Sequence, residues 1–324
     1  MEAKQILELM ADGNFHSGKV LGELLGVSRT AVWKHLQKLS DVGVELESVK
    51  GKGYRLPGGV ELLDESKIRA ALTPDADRFL SRVDVFQSTD STNVRAMARA
   101  AMPDAHGYVC MAEHQTQGRG RRGRAWVSPF GQSLYFSVVV EFSGGAAALE
   151  GLSLAVGVAL VRAAQKLGAE GVGLKWPNDV LWQGRKLAGI LLEMTGDPSG
   201  ACQVVVGVGL NVSITEAAAA QIDQPCVGMS ELVSGVSRNE LAAEVLNELL
   251  PLLSGYQKDG FTVYRDEWSK LNVHAGTSVA LATVSESIEG EVVGVSATGA
   301  LLLSVDGVIQ EFHGGEVSLR QVVG

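Results

Sequence analysis

Four arginines and three glycines fill the seven positions Gly118-Arg119-Gly120-Arg121-Arg122-Gly123-Arg124, and no packed core accepts such a run. Guanidinium groups this close repel one another, and the glycines leave the backbone mobile. The segment reads as a loop that needs an anion, and arginine's planar fork suits a phosphate or a carboxylate. The other readings are a flexible solvated loop or an RNA-type arginine-glycine tract. Such tracts lie in long disordered regions, whereas this one is flanked by the ordered-looking runs 109–112 and 134–140. The flanks favour a small-molecule anion loop in a folded domain.

At 324 residues the chain has room for two or three domains. It is 46% hydrophobic, 20% charged and carries a net charge of -9. That is too apolar for disorder and too acidic for general polyanion binding, so nucleic-acid contact has to come from a local patch. Cys110, Cys202 and Cys226 show no CxxC spacing and the six histidines no HExxH pattern. Neither a disulfide framework nor a metal site is expected, and a reducing cytoplasm fits. The opening MEAKQILELM lacks a basic-then-apolar run, and the apolar stretch Leu152–Val161 ends at Arg162. Neither a signal peptide nor a membrane span is expected, since a span needs roughly 20 apolar residues.

Three regimes follow one another, with domains expected over 1–60, 61–271 and 272–324. The first holds short helical patterns. Ile6, Leu9 and Met10 form one apolar face, and Leu21, Leu24 and Leu25 a second that stops at Gly26. Ser28 is placed to cap a third helix whose buried stripe is Val32, Leu36 and Leu39. That stripe turns Thr30, Lys34, Gln37 and Lys38 outward, with Arg29 at the start and Trp33 on the flank. Between Glu23 and Asp41 the only charges are Arg29, Lys34 and Lys38. A hairpin follows with Lys50, Lys52 and Arg55 about its tip, then the linker Pro57-Gly58-Gly59. Helix, turn and hairpin together read as a winged helix-turn-helix that docks on DNA. A solvated helix-hairpin used for protein contact is the alternative. The last regime alternates strand patterns with turns such as Asp306-Gly307 and reads as a small β-barrel.

The middle regime carries the chemistry. Lys175-Trp176-Pro177-Asn178-Asp179 makes a turn between short strands, and Gln183-Gly184-Arg185 a second. In the strand after it, alternation puts Lys186 on the face of Ala188, Ile190 and Leu192. Such a lysine either snorkels to water or meets a buried anion, and Lys175 one hairpin back adds weight to the anion. Gly207 and Gly209 share one face of a β-branched strand, a weakness unless something approaches the backbone closely. Ser91-Thr92-Asn93 opens a helix with Asp90 or Ser91 as cap and Val94, Met97, Ala98 and Ala101 as its stripe. Its N-terminus offers free N–H groups to a polar ligand.

In this order the motifs STN, QTQGRGRRGRAW, KWPND, GRKLAGILLE and GVGLNV resemble those of the biotin protein ligases. The N-terminal winged helix and C-terminal barrel resemble the subset that also represses transcription. The likeness spans essentially the whole chain, and the lipoate ligases share the fold but not the arginine-rich loop in this form. It implies a three-domain α+β protein: a winged helix, a mixed-sheet catalytic domain like the class II synthetases, and an SH3-like barrel.

It also implies an activity. These enzymes join biotin to ATP, giving biotinyl-5'-AMP and pyrophosphate, and pass the biotin to one lysine of the biotin carboxyl carrier protein of acetyl-CoA carboxylase. By resemblance Ser91, Thr92, Asn93, Gln115, Gly118, Arg119, Gly120, Arg121, Gly189 and Gly207 hold biotin. Lys186 bridges its carboxylate and the α-phosphate. Arg119, Arg121, Arg124, Trp126, Lys175, Asn178, Asn211 and Arg320 serve the nucleotide, and Lys186, Arg121 and Asp179 the chemistry. Magnesium is expected with the ATP. Repression implies a homodimer, formed on adenylate binding, whose Ser28, Arg29, Thr30, Trp33, Lys34, Gln37, Lys38, Lys50 and Lys52 meet a two-fold operator. Two rival functions stay open, a ligase without a DNA role and a ligand-sensing transcription factor without catalysis. One departure stands out: Ser213–Ser230 should fold over the adenine, yet it holds no aromatic, only Ile214, Ile222, Pro225, Val227 and Met229.

Overall fold

The computed structural model describes residues 2–41, 44–197, 199–282, 287–313 and 318–321, the side chains of 2–4, 41 and 318–321 excepted. Helices α1 (Glu2–Met10), α2 (Gly18–Leu25) and α3 (Arg29–Asp41) precede a hairpin of β1 (Glu47–Val49) and β2 (Gly53–Arg55). Ser17 caps α2 by accepting from the Val20 N–H, and Gly26 ends it at φ 67°, a left-handed conformation suited to glycine. Ser28 Oγ accepts from the Ala31 N–H at 3.1 Å. Ile6, Met10, Leu21, Val32, Leu36 and Leu39 are buried together. Leu24 is not among them; it is 61% exposed, because it lies about 100° round the helix from Leu25 and off the stripe that faces α3. Phe130, from the middle of the chain, completes this core.

The central unit begins with α4 (Glu65–Ala70) and α5 (Pro74–Phe79). Seven strands then form one sheet: β3 (Arg82–Phe86), β4 (Tyr108–Ala112), β5 (Ser133–Phe142), β6 (Val172–Lys175), β7 (Asp179–Trp182), β8 (Arg185–Gly196) and β9 (Cys202–Asn211). Their order is β3-β4-β5-β9-β8-β7-β6, with β3 and β4 parallel and the other pairs antiparallel. One face packs on α7 (Leu152–Lys166) and on α10 (Arg238–Asp259), which follows the short α8 (Glu216–Ala219) and α9 (Met229–Leu232); the other packs on α6 (Thr92–Ala100). Alternation along the strands shows both layers: Val109, Val138 and Val206 join the large core, whereas Cys110, Val139 and Val205 meet Ala96 and Ala100 of α6. With the turn before α7, the run 145–166 has the length and hydropathy of a membrane span, longer than the Leu152–Val161 stretch suggests. Here it forms the central core helix, packed on α10 and the sheet.

Helix α11 (Arg265–Leu271) leads to a second sheet of β10 (Ser278–Ala282), β11 (Ser287–Val295), β12 (Leu301–Val305), β13 (Val308–Phe312) and β14 (Ser318–Gln321). It is antiparallel throughout, in the order β13-β12-β11-β10-β14. Val279, Leu281, Val292, Leu301 and Leu303 merge with the large core. The Trp176 indole N–H donates to the Gly299 carbonyl at 3.0 Å, tying this sheet to the central unit.

The stretch from the winged helix into the central unit is held by a buried ion pair. Arg238 Nη1 donates to Glu113 Oε2 at 2.7 Å and to the Glu61 carbonyl at 2.6 Å, and Nη2 to the Ser133 carbonyl at 2.8 Å. Glu113 Oε1 accepts from the Leu63 N–H at 2.6 Å. Removing one member of such a pair strands a buried charge, whereas removing both leaves a neutral gap. Arg238→Met is expected to lose about 3–5 kcal/mol of stability in urea denaturation. Adding Glu113→Leu should restore much of it; a double variant as unstable as the single one contradicts this account.

Candidate active site

The loop joining β4 to β5 crosses the α6 face of the sheet and closes a cavity of about 700 Å³. Its walls are α6, β8, β9, the β6–β7 turn and the segment 221–226. At one end a chain of polar groups is held rigidly. The Thr92 N–H and hydroxyl both donate to Gln115 Oε1, at 2.9 and 3.2 Å. Gln115 Nε2 donates to Ser128 Oγ, which donates to the Trp126 carbonyl. Asn93 Nδ2 donates to Glu193 Oε2 at 2.8 Å, and its Oδ1 accepts from the Ser137 hydroxyl at 2.6 Å. Ser91 caps α6 with no side-chain bond of its own, and Asp90 Oδ1 accepts from the Ser91 N–H at 2.7 Å.

This end also corrects the stripe expected for α6. Val94 and Ala98 are exposed, and the buried face is Thr92, Asn93, Ala96 and Ala100. Two polar residues point inward because they border the cavity, and two alanines let the helix settle close on β5 and β9. Gly207 serves the same approach. A Cβ built there would stand 2.0 Å from Asn93 Oδ1.

The arginine-glycine segment is a small hairpin. Gly118 O accepts from the Trp126 N–H at 2.9 Å, Gly120 N–H donates to the Arg124 carbonyl at 2.8 Å, and Arg122 and Gly123 turn the chain at φ 58° and 72°. A side chain at Gly118 would meet the Trp126 carbonyl at 2.4 Å. Protein groups meet two of the guanidinium groups. Arg119 Nη2 lies 3.2 Å from Glu193 Oε1, and Arg121 Nη1 donates to Asn178 Oδ1 at 3.2 Å. Burial lowers the pKa of Arg121 from its ordinary value, with Asp179 acting in the opposite sense. Arg124 lies at the exposed rim.

Lys186 sits on a different face from the one its alternation suggests. Pairing with β7 runs Val180↔Ala188 and then Leu181↔Lys186, a β-bulge that leaves Leu187 as the extra residue. A bulge inverts the side-chain sequence beyond it. Lys186 is thereby swung out of the Ala188 face and towards Gly189 and Asp179. A Cβ on Gly189 would stand 3.3 Å from Lys186 Nζ, and Nζ lies 2.7 Å from Asp179 Oδ1. Trp126 lies flat in the same space. Gly209 and Gly189 make room for its ring, since added Cβ atoms would come within 2.5 and 2.8 Å of it. Lys186 Nζ stands 5.3 Å from the ring centroid. Asn211 spends its amide on the Lys186 carbonyl, at 3.2 Å, so it holds the strand that carries the lysine.

Lys175 and Asn178 line the far end, and the Asn178 amide also donates to the Ile190 carbonyl at 2.7 Å. The segment Ser213–Ser230 is stitched to β8 through Lys186 N–H to Pro225 O and Val227 N–H to Lys186 O. Val227 and Met229 are buried in the large core, leaving Gln221, Ile222, Asp223, Gln224 and Cys226 to face the cavity. Of these only Ile222 was singled out in the sequence. Gly209, Trp176, Pro177, Arg122 and Leu191 also line the cavity without having been expected; sharing a face with Gly207 was the signal available for Gly209. Arg320 pairs through its backbone with Ala280 on β14, and its side chain lies outside the described residues. No cluster of metal-ligating side chains occurs among the described residues.

In the N-terminal unit Ser28, Arg29, Thr30, Trp33, Lys34, Gln37, Lys38, Lys50 and Lys52 are all exposed. Arg55 is engaged elsewhere, 2.6 Å from Glu47 and stacked over Phe15, so it is not part of the hairpin tip's positive patch.

A mixed sheet with this cavity on one face is joined in the chain to an N-terminal winged helix and a C-terminal antiparallel sheet. The model of the biotin/lipoate A/B protein ligase family matches residues 85–211, that of an HTH domain 2–55 and that of the biotin protein ligase C-terminal domain 274–320. The bifunctional ligase/repressor BirA of Salmonella typhimurium is 42% identical over 315 residues, 97% of this chain and 96% of that protein. BirA of Bacillus subtilis is 30% identical over 335 residues, 98% of each. Among solved structures, the biotin protein ligase of Aquifex aeolicus in complex with biotin and ATP superposes with a TM-score of 0.65 at 29% identity, covering 75% of this chain and all of that one. The chain belongs to the biotin protein ligases, in their bifunctional ligase/repressor branch.

Proposed function

We propose that the cavity binds biotin and ATP end to end, makes biotinyl-5'-AMP and passes the biotin to a lysine of the biotin carboxyl carrier protein. The observation that carries this is the layout of one cavity: neutral amides and hydroxyls at the Asn93–Gln115 end, cations in the middle, and Lys175 and Asn178 beyond. Biotin's ring meets Ser91, Thr92, Asn93 and Gln115, its chain runs under Gly118, Arg119 and Gly120 past Gly189 and Gly207, and its carboxylate reaches Lys186 and Arg121. The nucleotide takes the side of Arg124, Trp126, Lys175, Asn178, Asn211 and Arg320, with magnesium arriving on the triphosphate.

A carboxylate oxygen attacks the α-phosphorus, the bond to the bridging oxygen breaks, and pyrophosphate leaves. Two anions must meet for this, and preorganised cations aimed at the developing charge lower that barrier most. Lys186 and Arg121 supply them. Asp179 holds the Lys186 ammonium in place. In the second step the carrier amine attacks the acyl carbon and AMP departs; the arginine hairpin, closed over the adenylate, keeps water away. Trp126, already seated on Gly189 and Gly209, is the aromatic available to the adenine in place of one from 213–230. Calorimetry with biotin, with and without ATP and magnesium, tests this. Tight retention of biotinyl-5'-AMP is expected, and protein that retains none overturns it.

The repressor role runs through the exposed basic face of α3 and the hairpin tip. Adenylate orders the cavity loops, the ordered surface dimerises, and the dimer presents two winged helices to a two-fold operator in the cytoplasm. Lys34→Glu is expected to weaken operator binding and lower the slope of log affinity against log salt by at least about one, with ligase turnover unchanged. An unchanged slope in a mobility-shift titration removes α3 from the groove.

A further inference from the structure

We infer that Glu193 is a positioning residue that couples recognition of the ligand's ring to closure of the arginine hairpin. Its two carboxylate oxygens serve two different parts of the cavity. Oε2 accepts from Asn93 Nδ2 at 2.8 Å, and Oε1 lies 3.2 Å from Arg119 Nη2. Asn93 belongs to the rigid wall. It is buried, its Oδ1 accepts from Ser137 and its Nδ2 also reaches the Leu191 carbonyl at 3.4 Å. Arg119 belongs to the hairpin that covers the cavity, and its side chain is 49% exposed. Of the described ion pairs, this one joins the hairpin to the sheet beneath it.

Two consequences follow from that geometry. An amide can be flipped to present either its oxygen or its nitrogen, and a carboxylate, which only accepts, holds Asn93 with its nitrogen towards β8. The Ser137 hydroxyl then completes the assignment from the other side, so the wall offers one fixed pattern of polar atoms. The same carboxylate attracts Arg119 downward and sets how far the hairpin closes. A ligand that engages Asn93 therefore meets a hairpin whose position depends on the same side chain.

This inference rests on the proposed reading of the Asn93–Gln115 end as the biotin subsite. The test compares Glu193→Gln and Glu193→Ala in the full-length protein. Glutamine keeps a neutral acceptor for Asn93 but loses the charge that holds Arg119; alanine loses both. Glu193→Ala is expected to raise the KM for biotin roughly tenfold, with kcat changed far less, as for one charge-assisted hydrogen bond. Glu193→Gln is expected to keep the KM for biotin within about threefold while releasing biotinyl-5'-AMP faster than wild type. Arg119→Met should speed release at least as much, since it also removes the hairpin's own contact with the ligand, and adding Glu193→Gln to it should change nothing more. Equal KM values for alanine and wild type, or additive effects of the Arg119 and Glu193 substitutions, overturn the inference. Wild-type protein that binds no biotin in calorimetry overturns instead the reading on which it rests.

Discussion

Lys186→Ala is expected to slow adenylate formation by about 10²–10³-fold while leaving the melting temperature within a few degrees of wild type. The lysine contributes its charge, not its bulk. Its ammonium stands 2.7 Å from Asp179 in the middle of the cavity, where a carboxylate and a phosphate must approach each other. Without it the central cation that offsets their repulsion is lost, and the cost falls on the transition state. Water still reaches both members of the pair, so Asp179 left alone remains hydrated and the fold loses little. Pyrophosphate release in single-turnover experiments reads the effect. Normal release would remove Lys186 from the chemistry.

Gly207→Ala is expected to weaken biotin binding by roughly 10–100-fold, as overpacking a close-fitting wall costs about 1–3 kcal/mol. The backbone has no need of glycine here, since the strand is extended; the need is for space. The added carbon would lie 2.0 Å from Asn93 Oδ1 and 2.7 Å from its Cγ. Asn93 has nowhere to retreat, because Ser137 and Glu193 hold both ends of its amide. Gly209→Ala, two residues on, would press on the Trp126 ring at 2.5 Å instead. The pair therefore separates the two halves of the cavity: the first variant should raise the KM for biotin, the second that for ATP. Kinetics in which both raise the same constant would contradict the end-to-end arrangement.

Much of this cavity was legible before any coordinates. The glycines of β9 announced a close approach because a strand gains nothing from them alone. The arginine run demanded oppositely charged partners, and the KWPND and GRKLAGILLE motifs named the neighbours. What approaches Gly207 and Gly209, however, is the protein's own Asn93 and Trp126. Hydrophobic periodicity misled at Leu24 and again along α6, where the reason is clear. Helix α6 buries Thr92 and Asn93 against a polar cavity, so polar side chains take part of its inward face while Val94, Ala98 and Ala101 face out.

From residue types and their spacing came the three units, the outward face of α3, the turn at Gly26 and the chemistry of paired anions neutralised by lysine and arginine. All of these are local: period, cap and charge act over a few residues. The position of Lys186 came from the tertiary structure alone. Alternation assigned it to the Ala188 face, and one extra residue at Leu187 turned it to face Asp179. So too did the joining of Glu193, Asn93 and Arg119, which lie on a strand, a helix and a loop far apart in the chain. A bulge and a long-range ion pair depend on which strands become neighbours, and that is decided by burial of the whole sheet between α7, α10 and α6.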